Sequence, residues 1–444
     1  MKGFQLAVTH RFIPERSIGA AYDDIAKCNF PYTRCCGNSG FNTPDRDIEM
    51  TSYNTVIEPP RLGEPYLLTP GPLTTSWAVK QAMLRDWGSW DDEFRAVTRE
   101  LRTRLLAMLG DGAEEFDCVP MQGSGSFSVE AMLGSFIPRD GKALVLANGA
   151  YGLRSAETLR YLGRDFTLLD KGDYLPPRGD DVTRILADDP AITHVIAIHC
   201  ETSSGILNPV EEISQATYAA GRKLLIDSMS AFGAIDLKPS EIRYEALVSS
   251  ANKCIEGVPG FGFIIARKTE LEAAKGNSHS LSLDVHAQWT HMNKSGQWRF
   301  TPPTHAVVAF LEALRAHQAD GGVAARGARY TRNRDVMVAG MRDLGFVTLL
   351  DNRWLSPIIV TFFCPADGNF IFDRYYELMK QKGFIIYPGK LTVVDSFRVG
   401  CIGQMDETVM RQVVAAAKES LAEMGVTDAA PPDAALKERA KLAA

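Results

Sequence analysis

A lysine and an aspartate at the ends of two apolar runs are the residues of this sequence best suited to chemistry. Lys253 lies among small residues in the run 249–254, directly after an apolar stretch and before a Gly/Pro-rich segment, and Asp227 ends an earlier apolar stretch. A lysine can bond to the aldehyde of pyridoxal 5'-phosphate (PLP), and a carboxylate can keep the pyridine nitrogen of that cofactor protonated. The pair therefore predicts a PLP site, although either residue alone is more often a surface lysine or a helix cap.

Two further segments carry small residues, hydroxyl groups and an aromatic ring after predicted strands. The loop 122–127 precedes a helical pattern, so its backbone N–H groups and serine hydroxyls suit a phosphate, with an ordinary helix cap as the alternative. Tyr151 can stack on a planar ring or pack within its own domain. Thr202 belongs to a hydroxyl cluster that suits a phenolic oxygen of the cofactor or simply caps a loop.

Arg398 is an arginine inside a short strand-like segment near the C-terminus. A partly buried guanidinium usually pairs with an oxyanion, because its fork of N–H groups matches a carboxylate or a phosphonate. The anion can belong to a substrate or to an internal salt bridge, and the sequence leaves both open.

No metal site is predicted. The histidines form no ligand pattern, and Cys28, Cys35 and Cys36 lack the paired spacing of a zinc site. The eight cysteines are spread through the chain, which favours reduced thiols and a cytoplasmic protein over a disulfide framework.

The composition is that of an ordinary globular protein. The 444 residues are 45% hydrophobic and 23% charged, with a formal net charge of −6. That charge gives no electrostatic reason to expect nucleic acid or an anionic membrane surface as a partner. No apolar run approaches the roughly 18–20 residues that a membrane-spanning helix needs.

The chain divides into four predicted parts. Residues 1–65 lack periodicity, end in a proline-rich linker and contain an alternative start at Met50, so we expect a poorly ordered extension. Residues 66–310 alternate short apolar runs with helical patterns, which predicts a large α/β cofactor-binding domain with a mostly parallel sheet covered by helices. Residues 311–425 predict a smaller α+β domain, and 426–444 a flexible tail.

Short apolar runs and helical periodicity locate the elements. The predicted strands of the large domain are 143–147, 166–169, 195–199, 223–227, 246–250 and 262–266, and its predicted helices are 93–109, 128–137, 153–162, 210–220 and 305–318. The smaller domain has patterns at 337–344, 358–363, 370–382, 384–387, 397–402 and 409–424. Since ligands bind at the carboxyl ends of strands in such sheets, Asp227, Lys253 and the loop 122–127 are expected to lie close together.

These segments resemble, in order and spacing, the class V branch of the fold type I PLP-dependent aminotransferases. The resemblance covers about 66–425 and includes LLTPGPLTTS (67–76), WDD (90–92), QGSGSFSVEA (122–131), SSANKCI (249–255), GVPGF (257–261), SLSLD (280–284), WRFT (298–301) and IYPGK (386–390). Within that branch the segments are most similar to the enzymes that act on 2-aminoethylphosphonate and pyruvate.

The resemblance implies a role for each site residue. Lys253 matches the lysine that bonds to the cofactor and Asp227 the partner of the pyridine nitrogen. Ser124, Gly125 and Ser126 match the cup that holds the cofactor phosphate, and Tyr151 matches an aromatic residue that stacks on the ring. Thr202 matches a hydroxyl near the phenolic oxygen, and Arg398 matches the arginine that binds the acidic group of the substrate. Thr301 matches a residue that reaches the phosphate of the neighbouring subunit, which implies a homodimer with shared active sites.

Three other interpretations stay open at this point. Another class V aminotransferase, such as an alanine–glyoxylate or serine–pyruvate enzyme, would keep every cofactor residue. A PLP lyase of the cysteine desulfurase type is disfavoured because Cys364 and Cys401 lie in strand-like runs. A transcriptional regulator with an aminotransferase-like domain would need a DNA-binding module, and residues 1–65 show no helix-turn-helix pattern.

Overall fold

A computed structural model of the chain describes residues 57–389 and 394–442. The predicted extension lies outside the described residues up to position 56, and so do Met50 and the three cysteines Cys28, Cys35 and Cys36. Within the described ranges no helix is long and apolar enough to cross a membrane.

The strands are short and follow one another along the described chain. They are β1 (Tyr66–Leu67), β2 (Phe116–Gln122), β3 (Lys142–Ala147), β4 (Asp165–Asp170), β5 (Ile192–Ile198), β6 (Cys200–Glu201), β7 (Ile206–Leu207), β8 (Lys223–Asp227), β9 (Ala246–Ser250), β10 (Phe261–Arg267), β11 (Ile359–Phe363), β12 (Phe384–Ile385), β13 (Tyr387–Pro388) and β14 (Ser396–Gly400).

The helices separate these strands, and several begin at acidic caps. Asp91, Asp284 and Asp406 each accept a hydrogen bond from a backbone N–H in the first turn of the helix that follows. The helices are α1 (Trp77–Gln81), α2 (Asp92–Ala107), α3 (Gly125–Phe136), α4 (Ala150–Tyr161), α5 (Gly179–Asp188), α6 (Val210–Ala219), α7 (Lys268–Ala273), α8 (Val285–Ser295), α9 (Thr304–Ala319), α10 (Gly322–Asp343), α11 (Phe372–Gln381), α12 (Glu407–Met424) and α13 (Asp433–Leu442).

Seven strands of the described chain form the main sheet, in the order β2–β10–β9–β8–β5–β3–β4. The five strands from β9 to β4 are parallel to their neighbours, whereas β10 is antiparallel to both β2 and β9. Parallel neighbours need crossover connections, and the helices between these strands provide them. The sheet is therefore mostly parallel, as predicted.

Side chains of the central strands alternate between two hydrophobic cores. In β3, Leu144 and Leu146 contribute to the core shared with α2, α5 and α9, whereas Ala143 and Val145 contribute to the core shared with α3 and α4. Successive side chains of a strand point to opposite faces, so both faces of the sheet are buried under helices.

A smaller antiparallel sheet, β11–β14–β13, has a core of its own. Phe362 and Phe397 stack with ring centroids 5.6 Å apart, and α10, α11 and α12 cover them. β1 pairs in parallel with β12, so the first described strand lies next to an element of this late part of the chain.

The segment after α12, which we predicted to be a flexible tail, forms α13 and makes specific contacts. Ala429 and Ala435 are buried in the core around the smaller sheet, and the Arg439 Nη1 atom donates to the Thr348 carbonyl oxygen at 2.9 Å. The sequence did not predict these contacts because alanines and one arginine give no strong periodic pattern.

Candidate active site

The main sheet brings the ends of four strands to one edge. β8 and β9 are parallel neighbours, so Asp227 at the end of β8 and Ser250 at the end of β9 lie at the same edge. β2 runs in the same direction as β9, because both are antiparallel to β10. The loop after Gln122 therefore starts at this edge, and so does α4, which follows β3.

A cavity of about 860 Å³ lies at that edge. Its volume is within the usual range for a site that holds a cofactor. Positions far apart in the sequence meet in its lining, including six of the predicted site residues: Ser124, Gly125, Ser126, Tyr151, Asp227 and Lys253.

Lys253 lies in the connection between β9 and β10, with its side chain directed to the cavity. Its Nζ atom donates to the Pro70 carbonyl oxygen at 3.1 Å. A Cβ atom on Gly71 would lie 2.7 Å from Cδ of Lys253, so a glycine at this position leaves room for the lysine. Burial lowers the pKa of Lys253 to about 8, which makes the unprotonated, nucleophilic amine accessible near neutral pH.

Asp227 is a buried carboxylate at the end of β8. Its Oδ1 atom accepts from the Met229 N–H at 2.9 Å, which fixes its orientation. The pKa of Asp227 is raised to about 6, mainly by burial. The nearby Glu201 carboxylate acts in the same direction, whereas the Met229 N–H and Lys253 act in the opposite direction. A cationic partner in the cavity would stabilise the ionised form.

The loop before α3 has the features of a phosphate site. Ser124 is the N-cap residue of α3, yet its hydroxyl makes no capping bond, so its oxygen and the first N–H groups of the helix are free to bind an anion. A Cβ atom on Gly125 would lie 2.5 Å from Sδ of Met229, so any other residue there would require the Met229 side chain to move. Ser126 Oγ accepts from Arg154 Nη1 at 3.4 Å.

Arg154 and Glu201 are site residues that the sequence analysis missed. The guanidinium of Arg154 lines the cavity and lies 5.0 Å from the ring centroid of Tyr151. Glu201 is fully buried and accepts from the Tyr151 N–H at 3.0 Å and from the Ser203 hydroxyl at 2.6 Å. Glu201 therefore holds the start of α4, and with it Tyr151, against the loop that follows β5. The only sequence signal was that Glu201 stands next to Thr202.

Thr202 and Arg398 meet beside this network and do not line the cavity itself. Arg398 is buried in the central strand of the smaller sheet, where its Nη1 donates to the Thr202 carbonyl oxygen at 2.8 Å and its Nε to the Pro388 carbonyl oxygen at 3.0 Å. Within the described ranges Arg398 pairs with no carboxylate. Burial lowers the pKa of Arg398, and the Glu201 carboxylate, beyond ion-pair distance, only partly offsets this effect, which favours an external anion over an internal salt bridge.

Two observations test whether the residues present fit PLP. The hydroxyl of Thr202 is buried and has no hydrogen-bond partner among the described residues, which fits a contact to an external oxygen. The glycine at 125 and the unused cap of Ser124 leave space and donors for a phosphate. These residues fit the cofactor.

Thr301 lies in the segment before α9 and its side chain is exposed. Its carbonyl oxygen and that of Phe300 accept from Nε2 of Gln122, at 3.3 and 3.0 Å. Thr301 is therefore held at the surface, next to the start of the phosphate loop of its own chain.

The described cysteines are unsuited to thiolate chemistry. Cys118, Cys200, Cys254, Cys364 and Cys401 are all free thiols. Burial raises the pKa of each of them, to about 12 for Cys200, Cys364 and Cys401. A lyase that depends on a reactive thiolate finds none among these residues.

The sequence of this chain is similar to those of known aminotransferases. The sequence model of the family described as aminotransferase class-V matches residues 119–368. A 2-aminoethylphosphonate–pyruvate transaminase of Rhizobium meliloti (strain 1021) is 74% identical over 383 residues, which are 86% of this chain and 100% of the relative. An enzyme with the same name from Paraburkholderia xenovorans (strain LB400) is 70% identical over 384 residues, 86% of this chain and 99% of the relative.

Solved structures with low sequence identity share the fold. The pyridoxamine–pyruvate aminotransferase of Mesorhizobium loti superposes with a TM-score of 0.74 at 20% identity, over 86% of this chain and 98% of that chain. The alanine–glyoxylate aminotransferase of a Nostoc species gives 0.72 at 20% identity, over 82% and 97%. At such identities the similarity is evidence for the architecture alone.

Proposed function

The chain belongs to the class V aminotransferases, and from this premise we propose that it transfers the amino group of 2-aminoethylphosphonate to pyruvate. The products are phosphonoacetaldehyde and L-alanine. The observation that carries this function is the 74% identity over the full length of the R. meliloti enzyme of that name.

We infer that PLP binds in the cavity with its phosphate at the loop 124–126. Ser124 and Ser126 supply hydroxyls, the start of α3 supplies N–H groups and a positive dipole end, and Arg154 adds a cation nearby. When bound, PLP supplies a ring that accepts the electrons released as the substrate C–H bond breaks.

Lys253 then acts at the reacting carbon. Its Nζ would hold the cofactor. In the first half-reaction the freed amine would remove the proton from the carbon next to the donor's amino group, and in the second it would deliver a proton to the carbon of pyruvate that receives the amino group. The lowered pKa of about 8 suits this role, since a base and acid work best when their pKa lies near the working pH.

Asp227 holds a proton at the pyridine nitrogen. Its buried carboxylate has one oxygen committed to the Met229 N–H and the second available for a charge-assisted bond. A protonated nitrogen makes the ring a better electron acceptor, so Asp227 acts on the step that Lys253 carries out.

Arg398 binds the acidic group of each substrate in turn. Its guanidinium is fixed by two backbone carbonyls and forms no salt bridge with the described residues. The N–H groups that the two carbonyls leave unused suit a phosphonate in the first half-reaction and the carboxylate of pyruvate in the second. This alternation requires that Arg398 lies beside the cavity, and its charge does lower the pKa of Lys253.

A second copy of the chain completes the site in this proposal. Large apolar side chains are exposed around the segment that carries Thr301, including Trp90, Phe127, Leu281 and Phe300. Such clusters on a globular protein are typical of an interface. Thr301 of one subunit would then reach the phosphate in the other.

The free thiols of the described cysteines also lead us to place the enzyme in the cytoplasm.

One assay tests the function directly. Purified protein with PLP is given 2-aminoethylphosphonate, alanine, serine or taurine as donor and pyruvate or glyoxylate as acceptor, and kcat/KM is measured for each pair. We expect 2-aminoethylphosphonate with pyruvate to be preferred. A tenfold or greater preference for alanine with glyoxylate would contradict the proposal and favour an alanine–glyoxylate aminotransferase.

A further inference from the structure

Glu256 has an unusual backbone conformation three residues after Lys253. It is the single non-glycine residue with positive φ among the described residues, at 65°. Its N–H donates to the Lys253 carbonyl oxygen at 2.7 Å, and the Gly257 N–H donates to the Ala251 carbonyl oxygen at 2.9 Å. The turn that presents Lys253 is therefore closed by a left-handed glutamate, a conformation that costs energy and persists only where its surroundings impose it.

The surroundings of Glu256 are three side chains of α10. Its Oε1 atom accepts from Arg329 Nη2 at 2.5 Å and from the Tyr330 hydroxyl at 2.6 Å, and lies 3.2 Å from Arg326 Nη1. All four residues are buried. Arg326 also pairs with Asp320 at 3.2 Å, so two guanidiniums face two carboxylates. The arginines lower the pKa of Glu256 against the effect of burial, and the glutamate stays ionised.

The same helix binds the backbone next to Lys253. Arg326 Nη1 and the Tyr330 hydroxyl lie 2.8 and 3.2 Å from the carbonyl oxygen of Cys254. One turn further along, Asn333 Nδ2 donates to the Cys401 carbonyl oxygen at 3.0 Å, directly after the strand that carries Arg398. α10 thus contacts the Lys253 turn at one place and the end of the Arg398 strand at another.

We propose that Glu256 is a positioning residue, through which α10 holds the Lys253 turn in register with the Arg398 strand. This rests on the proposed function, because the geometry matters for a proton transfer by Lys253 to a substrate held by Arg398. A role in stability alone explains the cluster less well. Buried ion pairs stabilise a fold little compared with apolar residues of the same size, and a left-handed glutamate adds a cost where glycine would not.

The variants are chosen to separate positioning from folding. Tyr330→Phe removes one hydroxyl and keeps the packing. The double variant Glu256→Gln/Arg329→Gln removes one charge of each sign, so no guanidinium is left buried without a carboxylate. Glu245→Gln is the matched control, since Glu245 is a buried carboxylate that accepts the Leu224 N–H at 2.7 Å at the opposite end of β9.

Five quantities are measured on each PLP-loaded variant. They are the thermal midpoint, kcat and KM for 2-aminoethylphosphonate at saturating pyruvate, the deuterium isotope effect at the carbon next to the amine, and the pH midpoint of the absorbance of bound PLP. The last reads the environment of Lys253 without turnover.

We expect the double variant to lose about tenfold or more in kcat with KM little changed, because small displacements of a catalytic group reduce the rate steeply. The isotope effect should rise and the absorbance midpoint should move. Tyr330→Phe should change kcat, the isotope effect and the absorbance midpoint in the same directions, but by less. Glu245→Gln should leave them unaltered. The proposal is overturned if the Tyr330 and Glu256/Arg329 variants fold and give the same values as the wild type, or change no more than the control. It is also overturned if all of these variants fail to fold. A wild type without activity on 2-aminoethylphosphonate contradicts the proposed function instead, while the absorbance midpoints still decide the role of Glu256.

Discussion

At the scale of single residues, burial moves the pKa values of Lys253 and Asp227 toward each other. It lowers the first to about 8 and raises the second to about 6, because a low-dielectric environment disfavours both charged forms. Such opposite shifts in one cavity are typical of a catalytic site. Each residue then changes its charge at a pH close to neutral, so the charges of a bound cofactor can decide which protonation state is populated.

The lowered pKa of Lys253 predicts the pH dependence of cofactor uptake by the apoprotein. The neutral amine is the reactive form, so below pH 8 the rate constant should fall about tenfold per pH unit, and above it should level off. Stopped-flow absorbance after mixing with PLP measures this rate. Lys253→Ala, which can bind PLP only noncovalently, is the control, and a midpoint near 10 would show that the lysine is not desolvated.

Asp227→Asn should keep the cofactor and lose turnover. An amide fits the same space and can still accept the Met229 N–H, but it cannot stabilise a proton at the pyridine nitrogen. We expect the absorbance spectrum to show that PLP is still bound. We expect kcat to fall by about a hundredfold or more, which is the usual effect of removing a group that stabilises charge in the transition state. Turnover close to that of the wild type would mean that another group protonates the ring.

Residues of the candidate site that have a local signature could be singled out from the sequence, and those defined by tertiary contacts could not. Lys253, Asp227 and Ser124 stand at strand or helix ends among small residues, and the structure places all three in the lining of one cavity. Glu201 and Arg154 have no such signature. A buried glutamate that holds α4 becomes visible only when two loops meet.

At the scale of elements, regular apolar patterns predicted the central strands well and failed where polar residues are buried. The predicted strands 223–227 and 246–250 have the same bounds as β8 and β9. β2 was missed because Asp117 and Pro120 interrupt its pattern; it is an edge strand, where a proline is tolerated. Only the last part of α10 was predicted, at 337–344, since its first half buries arginines and an asparagine in place of apolar side chains.

The position of Arg398 on a rigid central strand predicts that its geometry matters as much as its charge. Arg398→Lys keeps the positive charge but has one nitrogen in place of the separate Nε and Nη1 donors that bind the two backbone carbonyls, and it loses the planar fork that pairs with an anion. We expect kcat/KM to fall by about ten- to a hundredfold for 2-aminoethylphosphonate and for pyruvate, the range for lost hydrogen bonds to a charged group. Single-turnover measurements of each half-reaction test this.

Arg439→Lys is the matched control for that experiment. Arg439 likewise donates to a backbone carbonyl, that of Thr348, but it lies on α13 outside the cavity lining. It should leave both half-reactions unchanged. A loss confined to one half-reaction in Arg398→Lys would show that the two substrates use different anion sites.

At the scale of the whole molecule, we expect the part of the chain needed for catalysis to be smaller than the full sequence. The R. meliloti relative is matched over 100% of its length by 86% of this chain, and the described site residues all lie beyond position 66. A chain shortened to residues 50–444 should therefore keep kcat within about twofold, as expected when a segment without periodic pattern is removed. Steady-state kinetics of the two chains decide this, and a large loss would show that the first 49 residues support the site.

The proposed homodimer makes a sharper prediction, because Thr301 is proposed to serve the phosphate of the other subunit. Thr301→Ala should weaken PLP binding about tenfold, the effect of one hydrogen bond to a charged group. Lys253→Ala should abolish turnover. At a PLP concentration near the wild-type dissociation constant, wild-type sites are about half filled and Thr301→Ala sites only about one-tenth filled, so Thr301→Ala alone has low activity and Lys253→Ala alone has none.

Mixing the two variants and allowing subunits to exchange distinguishes a shared site from a separate one. If Thr301 serves the partner, a mixed dimer has one site with both substitutions and one site with neither, so up to half of the activity of that dimer returns. If Thr301 serves its own chain, each site of the mixed dimer keeps one defect and no activity returns. Sedimentation of the mixture confirms that dimers have formed. Recovery of activity therefore supports the shared site, whereas dimers without recovery, or an active monomer, would overturn it.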